Sequence, residues 1–300
     1  MIILSHPNIW VEFIKNKGKL TPSQSYRRIF NIVHNSNNVF AYNHHWNEYY
    51  LSYLSDAEDD EIDYVDVFNN IIVELNYNDK LVFENHSPLS SNQEFKNCFD
   101  LSIQIQFLLL NSQPLSDHIN EDNSVLILDN IHKPNRHWIY YSILNSNKSQ
   151  QQSVDYRDFI SDTEIQNFIK CILNLKNPKS NRVFIQSDYL NYGDIFEKIK
   201  GKRIAYCSSE YNGGHLKNNN QLQTEKNSIK TYFGNNSTYR ISSNKRLLHP
   251  RAVFYNDIII YLDHDYPQIS IANSNWRISF HYCIETFNEK ISLINSYRSV

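Results

Sequence analysis

The sequence has no long apolar run. Its longest apolar stretches, such as 107–110 and 258–262, fall far short of the roughly 20 residues that cross a bilayer. The N-terminus also lacks a basic segment followed by an apolar one, the pattern of a secretory signal, because His6 and Pro7 follow the first apolar residues at once. We therefore expect a protein without a membrane span, located in the cytoplasm.

Cysteine and glycine are scarce. The four cysteines, Cys98, Cys171, Cys207 and Cys283, lie far apart without a CxxC pair, which favours buried reduced thiols over a zinc or redox site. The six glycines form neither the dinucleotide-binding pattern nor the P-loop pattern. A turn at 211–215, Tyr-Asn-Gly-Gly-His, could approach a phosphate but carries no nucleotide-binding motif.

The overall composition is that of a globular protein. Of 300 residues, 41% are hydrophobic and 20% are charged, enough to build a core in one large domain or in two of ordinary size. Asparagine is unusually frequent, with 40 residues. We interpret this as AT-rich coding bias in a bacterium or a mobile element.

Charge is divided unevenly along the chain. Residues 1–150 carry 10 Lys/Arg against 18 Asp/Glu, whereas residues 151–300 carry 19 against 14. An anionic partner would therefore meet the second half, although the two halves could equally complement each other. The acidic run 56–66 lacks the spacing of a calcium loop and is interpreted as a solvated loop or helix face.

Apolar periodicity predicts an α/β fold. We expect an acidic N-terminal α+β domain over 1–150 and an α/β domain with a mixed, largely parallel sheet over 151–300, joined by a polar linker at 145–153. Strands are predicted in the first half at 71–76, 80–85, 124–129, 137–144 and 102–110, the last apolar on both faces and so central. In the second half, helices are predicted from Ser161 and over 224–233, and strands at 182–186, 202–207, 238–242, 252–256 and 258–262.

One segment of the second half combines groups that handle phosphate. His249 and Arg251 stand two residues apart at a predicted strand, so their side chains face the same way and could address one phosphate. The imidazole could act as nucleophile or acid, and the guanidinium could hold phosphate oxygens in a bidentate manner. Alternatively, His249 is only a strand-entry residue beside a proline that marks a turn.

This segment resembles the half-motif of the phospholipase-D-like superfamily: His-x-Lys, four residues, Asp, and then Gly-Ser-x-Asn after a strand. The resemblance covers about 120 residues and implies phosphodiester hydrolysis, with His249 as nucleophile or general acid, Arg251 as phosphate clamp and Asp257 as the counterpart of the motif's Asp. Ser274 and Asn275 fall near the second motif. The chain departs from the pattern in its Arg for Lys, in Asp257 one residue late, and in the longer gap to Ser274. No His-x-Lys is present in the first half of the chain, so an active site would need a homodimer.

Two further resemblances lead elsewhere. The phospholipase-D-like domain found C-terminal to microtubule-interacting modules is similar in carrying His-x-Arg before a strand pair, which implies partner binding without catalysis. The His249-Pro250 dipeptide is also similar to the one that serves the nucleotide sugar in sialyltransferases built from two Rossmann domains.

Charged residues flank the segment on both sides. The cations Arg240, Lys245 and Arg246 are interleaved with aromatic residues, a pattern typical of a surface that holds a phosphate backbone and stacks bases. A rival interpretation takes Asp263 and Asp265, which share a face at a predicted strand end, as ligands of Mg²⁺. Acids at strand ends are also common without a metal.

We therefore predict an interaction or effector protein of a bacterial or mobile-element system, of the kind that serves phage defence. Its second domain would engage a phosphate-bearing partner, nucleic acid before lipid headgroup, without a cofactor. The alternatives are a metal-dependent nuclease or transferase centred on Asp263 and Asp265, and a non-catalytic subunit that docks on a protein partner.

Overall fold

A computed structural model describes residues 1–57, 62–85, 87–112, 124–146, 151–176, 182–187, 196, 202–244, 248, 251–263, 269–270, 272 and 275–300. The chain forms two compact units, Met1–Asn145 with Leu175–Pro178, and Ser146–Asn174 with Lys179–Val300. Each unit is built on one main sheet, five-stranded in the first and eight-stranded in the second. Within these described ranges, no helix is long and apolar enough to cross a membrane.

The first unit has a parallel sheet with helices. Its strands are β1 (Ile2–Ser5), β2 (Val39–Tyr42), β3 (Leu81–Phe83), β4 (Phe107–Leu110) and β5 (Val125–Ile127). Its helices are α1 (Pro7–Asn16), α2 (Gln24–His34), α3 (Asn47–Ser55), α4 (Tyr64–Tyr77), α5 (Asn92–Leu101) and α6 (Arg136–Leu144). The strands pair in parallel in the order β3-β2-β1-β4-β5.

β4 lies inside this sheet, and all four of its residues are buried. A strand covered on both faces needs apolar side chains on both, which is why Phe-Leu-Leu-Leu is a continuous apolar run and not an alternating one. The strand predicted within 102–110 is buried inside the sheet, as expected, although the middle strand of the order is β1.

The prediction of a strand at 71–76 is wrong, because this segment lies in α4. The helix begins behind Asp63, whose side chain accepts a hydrogen bond from a backbone N–H of the first turn. Phe68, Ile71 and Leu75 are buried at helical spacing along one side of the helix. The β-branched residues at 71–73 favour a strand locally, and the capping and packing of the longer segment override that preference.

The prediction of a strand at 137–144 is also wrong. The segment is α6, which Asn135 caps by accepting a backbone hydrogen bond from the first turn. His137 closes the outer edge of β5. Its Nδ1 accepts from the backbone N–H of Ile127 at 3.2 Å, and the ring donates to the carbonyl of Val125. These two backbone groups point away from β4 at the edge of the sheet, where no further strand of the described residues could pair with them.

The second unit has a mixed sheet. Its strands are β6 (Gln152–Asp155), β7 (Arg182–Gln186), β8 (Arg203–Ser209), β9 (Tyr211–Asn212), β10 (His215–Leu216), β11 (Thr238–Ser242), β12 (Arg251–Tyr255), β13 (Ile258–Leu262), β14 (Arg277–Tyr282) and β15 (Arg298–Ser299). Its helices are α7 (Asp162–Leu173), α8 (Asn219–Phe233) and α9 (Ile284–Ser296). The sheet order is β15-β11-β8-β7-β12-β13-β14-β6, and β9 with β10 forms a separate hairpin.

The α/β class predicted from the sequence is confirmed, but parallel pairing is distributed differently. The first unit, predicted as α+β, has an all-parallel sheet among its described strands. Among the described strands of the second unit, only β7–β8 and β8–β11 pair in parallel. β12 and β13 are joined by two residues, Asn256 and Asp257, both with positive φ. Such a connection joins antiparallel strands, whereas a parallel pair needs a long crossover.

Most elements predicted in the second half are present where expected. The helix after Ser161 and the strands at 182–186, 238–242 and 258–262 are confirmed. The helix predicted at 224–233 begins earlier, because Asn218 and Gln221 form reciprocal side-chain to backbone hydrogen bonds at its start.

One face of the second sheet is covered by α9. Ile294 of this helix is buried in a cluster with Phe184, Cys207, Phe254 and Ile259 from four strands. Burial of this kind contributes roughly 1.5 to 3 kcal/mol for each large apolar side chain. The cluster defines which strand residues face the helix and which face the opposite side.

Candidate functional site

The carboxyl ends of β7, β8 and β11 meet at one edge of the second sheet. β12 runs antiparallel to β7, so its first residue, Arg251, lies at the same edge. From β7 the chain continues to β8 on one side and returns as β12 on the other. Ligands of open α/β sheets bind at the carboxyl edge where the strand order changes direction in this way.

Arg251 shares this edge with two buried hydroxyl groups. The register pairs Ala252 with Gln186, which places Arg251 opposite Ser187 on the next row. Ser187 continues the ladder by donating its N–H to the carbonyl of Cys207, so Ser208 lies beside it. Ser187 and Ser208 are fully buried and Arg251 is half-buried. We call Ser187, Ser208 and Arg251 the Arg251 edge.

The Arg251 edge combines a fixed positive charge with hydroxyl groups. A guanidinium forms short, charge-assisted hydrogen bonds with phosphate or carboxylate oxygens, often two at once. The hydroxyl group of Ser208 is hydrogen-bonded to Tyr239, so the guanidinium is the group that would contact the oxyanion. The arrangement is therefore suited to hold an oxyanion at the end of the sheet.

The opposite face of the same edge carries two exposed ion pairs. Asp263, Arg277 and Asp155 lie side by side at the ends of β13, β14 and β6. Arg277 Nε is 3.8 Å from Asp263 Oδ2, and the same oxygen accepts the backbone N–H of Arg277 at 3.2 Å. Arg157 pairs with Asp155 at 2.9 Å. Tyr156 stands between Asp155 and Arg157 in the chain. Burial, assisted by the charge of Asp263, raises the pKa of its hydroxyl group.

Asp257 is not brought to the Arg251 edge. It lies in the turn that ends β12, with φ of 62°, at the far end of the β12–β13 hairpin. The strand between them spans about 14 Å at 3.4 Å per residue. The structure therefore separates two members of the predicted catalytic set.

Arg240 faces away from the Arg251 edge. Its guanidinium donates to the backbone carbonyls of Asn295, at 2.7 Å, and Tyr297, at 3.0 Å. These carbonyls lie at the C-terminal end of α9, where a cation compensates the partial negative charge of the helix. Arg240 thus holds α9 on the sheet instead of joining the predicted phosphate surface.

Of the six remaining predicted site residues, the structure describes one. Asn275 is exposed in the turn that precedes β14. Five others lie outside the described residues: His249, Lys245, Arg246, Ser274 and Asp265. In the part of the chain that the structure describes, no three His, Cys, Asp or Glu side chains gather as a metal site. Of the two acids in the alternative Mg²⁺ site, Asp263 is the one that the structure describes, and its carboxylate contacts Arg277.

The sequence interpretation missed a buried polar network in the first unit. His6 follows β1 at the carboxyl edge of the sheet and is fully buried. Its Nδ1 accepts the backbone N–H of Asn8 at 3.2 Å and caps α1, so the proton resides on Nε2, 3.1 Å from Asn92 Oδ1. The hydroxyls of Tyr49 and Tyr53 both donate to that amide oxygen at 2.7 Å.

The electrostatics of this network favour packing over proton transfer. Burial lowers the pKa of His6, against the smaller opposing effect of its hydrogen bonds, so the ring is neutral near pH 7. Burial also raises the pKa of Tyr49. A short apolar strand followed directly by His6-Pro7 is the sequence signal that could have indicated a helix cap at this position.

Comparison with known proteins finds similarity to solved structures at low sequence identity. No protein-family model and no curated protein sequence matches the chain. NucT from Helicobacter pylori is 12% identical over 50% of this chain and 99% of its own, with a TM-score of 0.35. Nuc from Salmonella typhimurium, a phospholipase D family member, is 10% identical over 50% of this chain and 97% of its own, with a TM-score of 0.34.

A third similar structure is TrmBL2, described as an archaeal chromatin protein that shows a novel mode of DNA binding. It is 9% identical over 51% of this chain and 54% of its own, with a TM-score of 0.29. Half of the chain thus has a weak resemblance to a phospholipase D family member. Likenesses of this degree assign no family to the chain.

Proposed function

We propose that the second unit binds the phosphodiester backbone of nucleic acid at the Arg251 edge. The observation that supports this most directly is the position of Arg251, opposite buried Ser187 where the strand order changes direction. A phosphate oxygen at this point would meet the guanidinium of Arg251 at the carboxyl edge of the sheet.

The charge of this part of the chain supports a polyanion as the ligand. Residues 151–300 carry 19 Lys/Arg against 14 Asp/Glu. Arg157 and Arg277, with side chains 71% and 59% exposed, lie at strand ends of the same sheet edge. Exposed ion pairs such as theirs contribute at most about 1 kcal/mol, so each guanidinium can turn towards a phosphate at small cost.

Hydrolysis of the bound phosphodiester is the catalytic form of this proposal. It would use His249 as nucleophile and Arg251 as phosphate clamp, with a second copy of the chain to complete the site. The metal-dependent alternative would use Asp263 and Asp265 with Mg²⁺. Both depend on residues outside the described ranges, so an assay of cleavage has to distinguish them.

The binding proposal is tested by fluorescence anisotropy with labelled single- and double-stranded DNA and RNA, at about 50 to 200 mM salt. Arg251→Ala should weaken binding about tenfold and reduce the slope of log affinity against log salt by roughly 0.7 for single strands, as expected for one phosphate contact. The matched control is Arg203→Ala, an exposed arginine at the opposite end of β8, which should change affinity by less than about twofold. Absence of salt-dependent binding to all four nucleic acids, or equal losses in the two variants, would refute the proposal.

The same samples test cleavage. Activity that persists in EDTA and disappears in His249→Ala supports the metal-independent reaction. Activity that requires Mg²⁺ and disappears in Asp263→Ala supports the alternative. Salt-sensitive binding without turnover supports a binding protein.

A further inference from the structure

A short hairpin extends beyond the end of β8. Its strands β9 and β10 are joined by Gly213 and Gly214, with φ of 57° and 88°, values that glycine adopts at little cost. Tyr211 pairs with Leu216, so these two side chains share one face, while Asn212 pairs with His215 on the other. Tyr211 is 37% exposed and Leu216 63% exposed. One face of the hairpin therefore presents an aromatic ring and an aliphatic side chain to solvent.

The hairpin is held firmly at its base. Lys217 donates its backbone N–H to the carbonyl of Glu210, and Glu210 donates to the carbonyl of Ser242 at the end of β11. The ammonium of Lys217, only 4% exposed, lies 3.0 Å from the carboxylate of Glu225 in α8. A buried ion pair and two ladder bonds fix the position of the exposed face relative to the sheet.

The hairpin lies at the same edge of the sheet as Arg251. It continues from β8, and β8 is separated from β12 by β7 alone. Two strand spacings correspond to about 10 Å across the sheet, and Tyr211 lies three residues, about 10 Å, beyond Ser208, which is level with Arg251. A short stretch of single-stranded nucleic acid spans the resulting separation of about 14 Å. A strand whose phosphate contacts Arg251 can therefore place a neighbouring base against the hairpin.

We infer that Tyr211, with Leu216 beside it, stacks on an unpaired base of the nucleic acid bound at the Arg251 edge. This inference rests on the proposed function and adds the substrate class, which is single-stranded nucleic acid. The faces of bases are available to an aromatic side chain only where the strands are separated. The excess of basic residues in this half of the chain favours a nucleic acid over an apolar segment of a protein as the occupant.

The test compares three labelled probes of about 12 nucleotides: oligothymidine, the same backbone with abasic sites, and a duplex. In the full chain, Tyr211→Ala should weaken binding of oligothymidine about 5- to 30-fold, equivalent to about 1 to 2 kcal/mol, and leave the salt slope unchanged. Tyr211→Phe, which keeps the ring, should bind as the natural chain does. Asn212→Ala, on the other face of the hairpin, is the matched control and should change affinity by less than about twofold.

The abasic probe separates stacking from a structural effect. The natural chain and Tyr211→Ala should bind it equally, because no base is present to stack. An equal loss on both probes, or no loss on oligothymidine while Arg251→Ala weakens binding, would overturn the inference and leave the proposed function standing. Failure of the natural chain to bind any probe would instead refute the proposed function, and this inference with it.

Discussion

Protonation of His137 should destabilise the first unit as the pH falls from about 6.5 to 4. The neutral ring accepts the backbone N–H of Ile127 and donates to the carbonyl of Val125. A protonated ring would set one N–H group against another and break the first of these bonds. Burial, assisted by the charge of Arg136, accordingly lowers the pKa of His137 to about 4.

The sign and size of the effect follow from linkage. Above pH 6.5 the ring is neutral in both the folded and the unfolded chain, so it adds no pH dependence. Below pH 6.5 the unfolded chain takes up the proton first, and the free energy of unfolding decreases until the folded chain is protonated near pH 4. The full shift corresponds to about 3 kcal/mol. Water near the sheet edge screens part of it, so we expect a loss of about 1 to 2 kcal/mol.

Urea unfolding measured by tryptophan fluorescence can follow this loss. In a Trp276→Phe background, the remaining tryptophans, Trp10, Trp46 and Trp138, all lie in the first unit and report its unfolding. His137→Gln is the informative variant, because an amide can accept from Ile127 and donate to Val125 but does not titrate. Its free energy of unfolding should depend less steeply on pH between 6.5 and 4.5 than that of the background.

Two controls isolate His137. His45→Gln replaces an exposed histidine and should leave the pH dependence unchanged. His6, whose pKa burial also lowers, is present in every variant and so does not affect the differences. Identical pH profiles for His137→Gln and its background would refute the edge-closing role of the ring.

Two further predictions concern charged residues around the proposed site. Arg240→Ala removes two hydrogen bonds to the end of α9, so the free energy of unfolding should fall by about 1 to 3 kcal/mol in urea titrations, with nucleic-acid affinity unchanged; an affinity loss with unaltered stability would contradict this assignment. Asp263→Asn removes a carboxylate from the sheet edge, so anisotropy should show binding at least as tight as in the natural chain. A loss of Mg²⁺-dependent binding in that variant would instead favour the metal site.

Several elements could be predicted from the sequence because their signals are local. The helix after Ser161 has a capping serine and apolar residues at helical spacing, and β4 is apolar at every position. The uneven charge of the two halves is likewise a property of the sequence alone. Location in the cytoplasm, a role in phage defence and the boundary between the predicted domains stay predictions.

The candidate site could be predicted only in part. The sequence placed Arg251 on a strand within a basic segment, but it also grouped Arg251 with Arg240 and Asp257. Strand register separates them: Arg240 faces α9, and Asp257 lies at the other end of a hairpin. Register and facing depend on which strands pair, and those partners are distant in sequence.

What the sequence determined by itself is the α/β class, an interior strand of the first sheet and the basic character of the second half, since each follows from periodicity or composition. The tertiary structure alone decided that 71–76 and 137–144 are helical and that His137 completes the edge of β5. It also decided that Arg251 lies opposite Ser187, at the carboxyl edge where β8 and β12 flank β7 on its two sides. The two helices are capped locally, by Asp63 and Asn135, but their packing and the other features arise from contacts between segments far apart in the chain, whose free energy outweighs local preference.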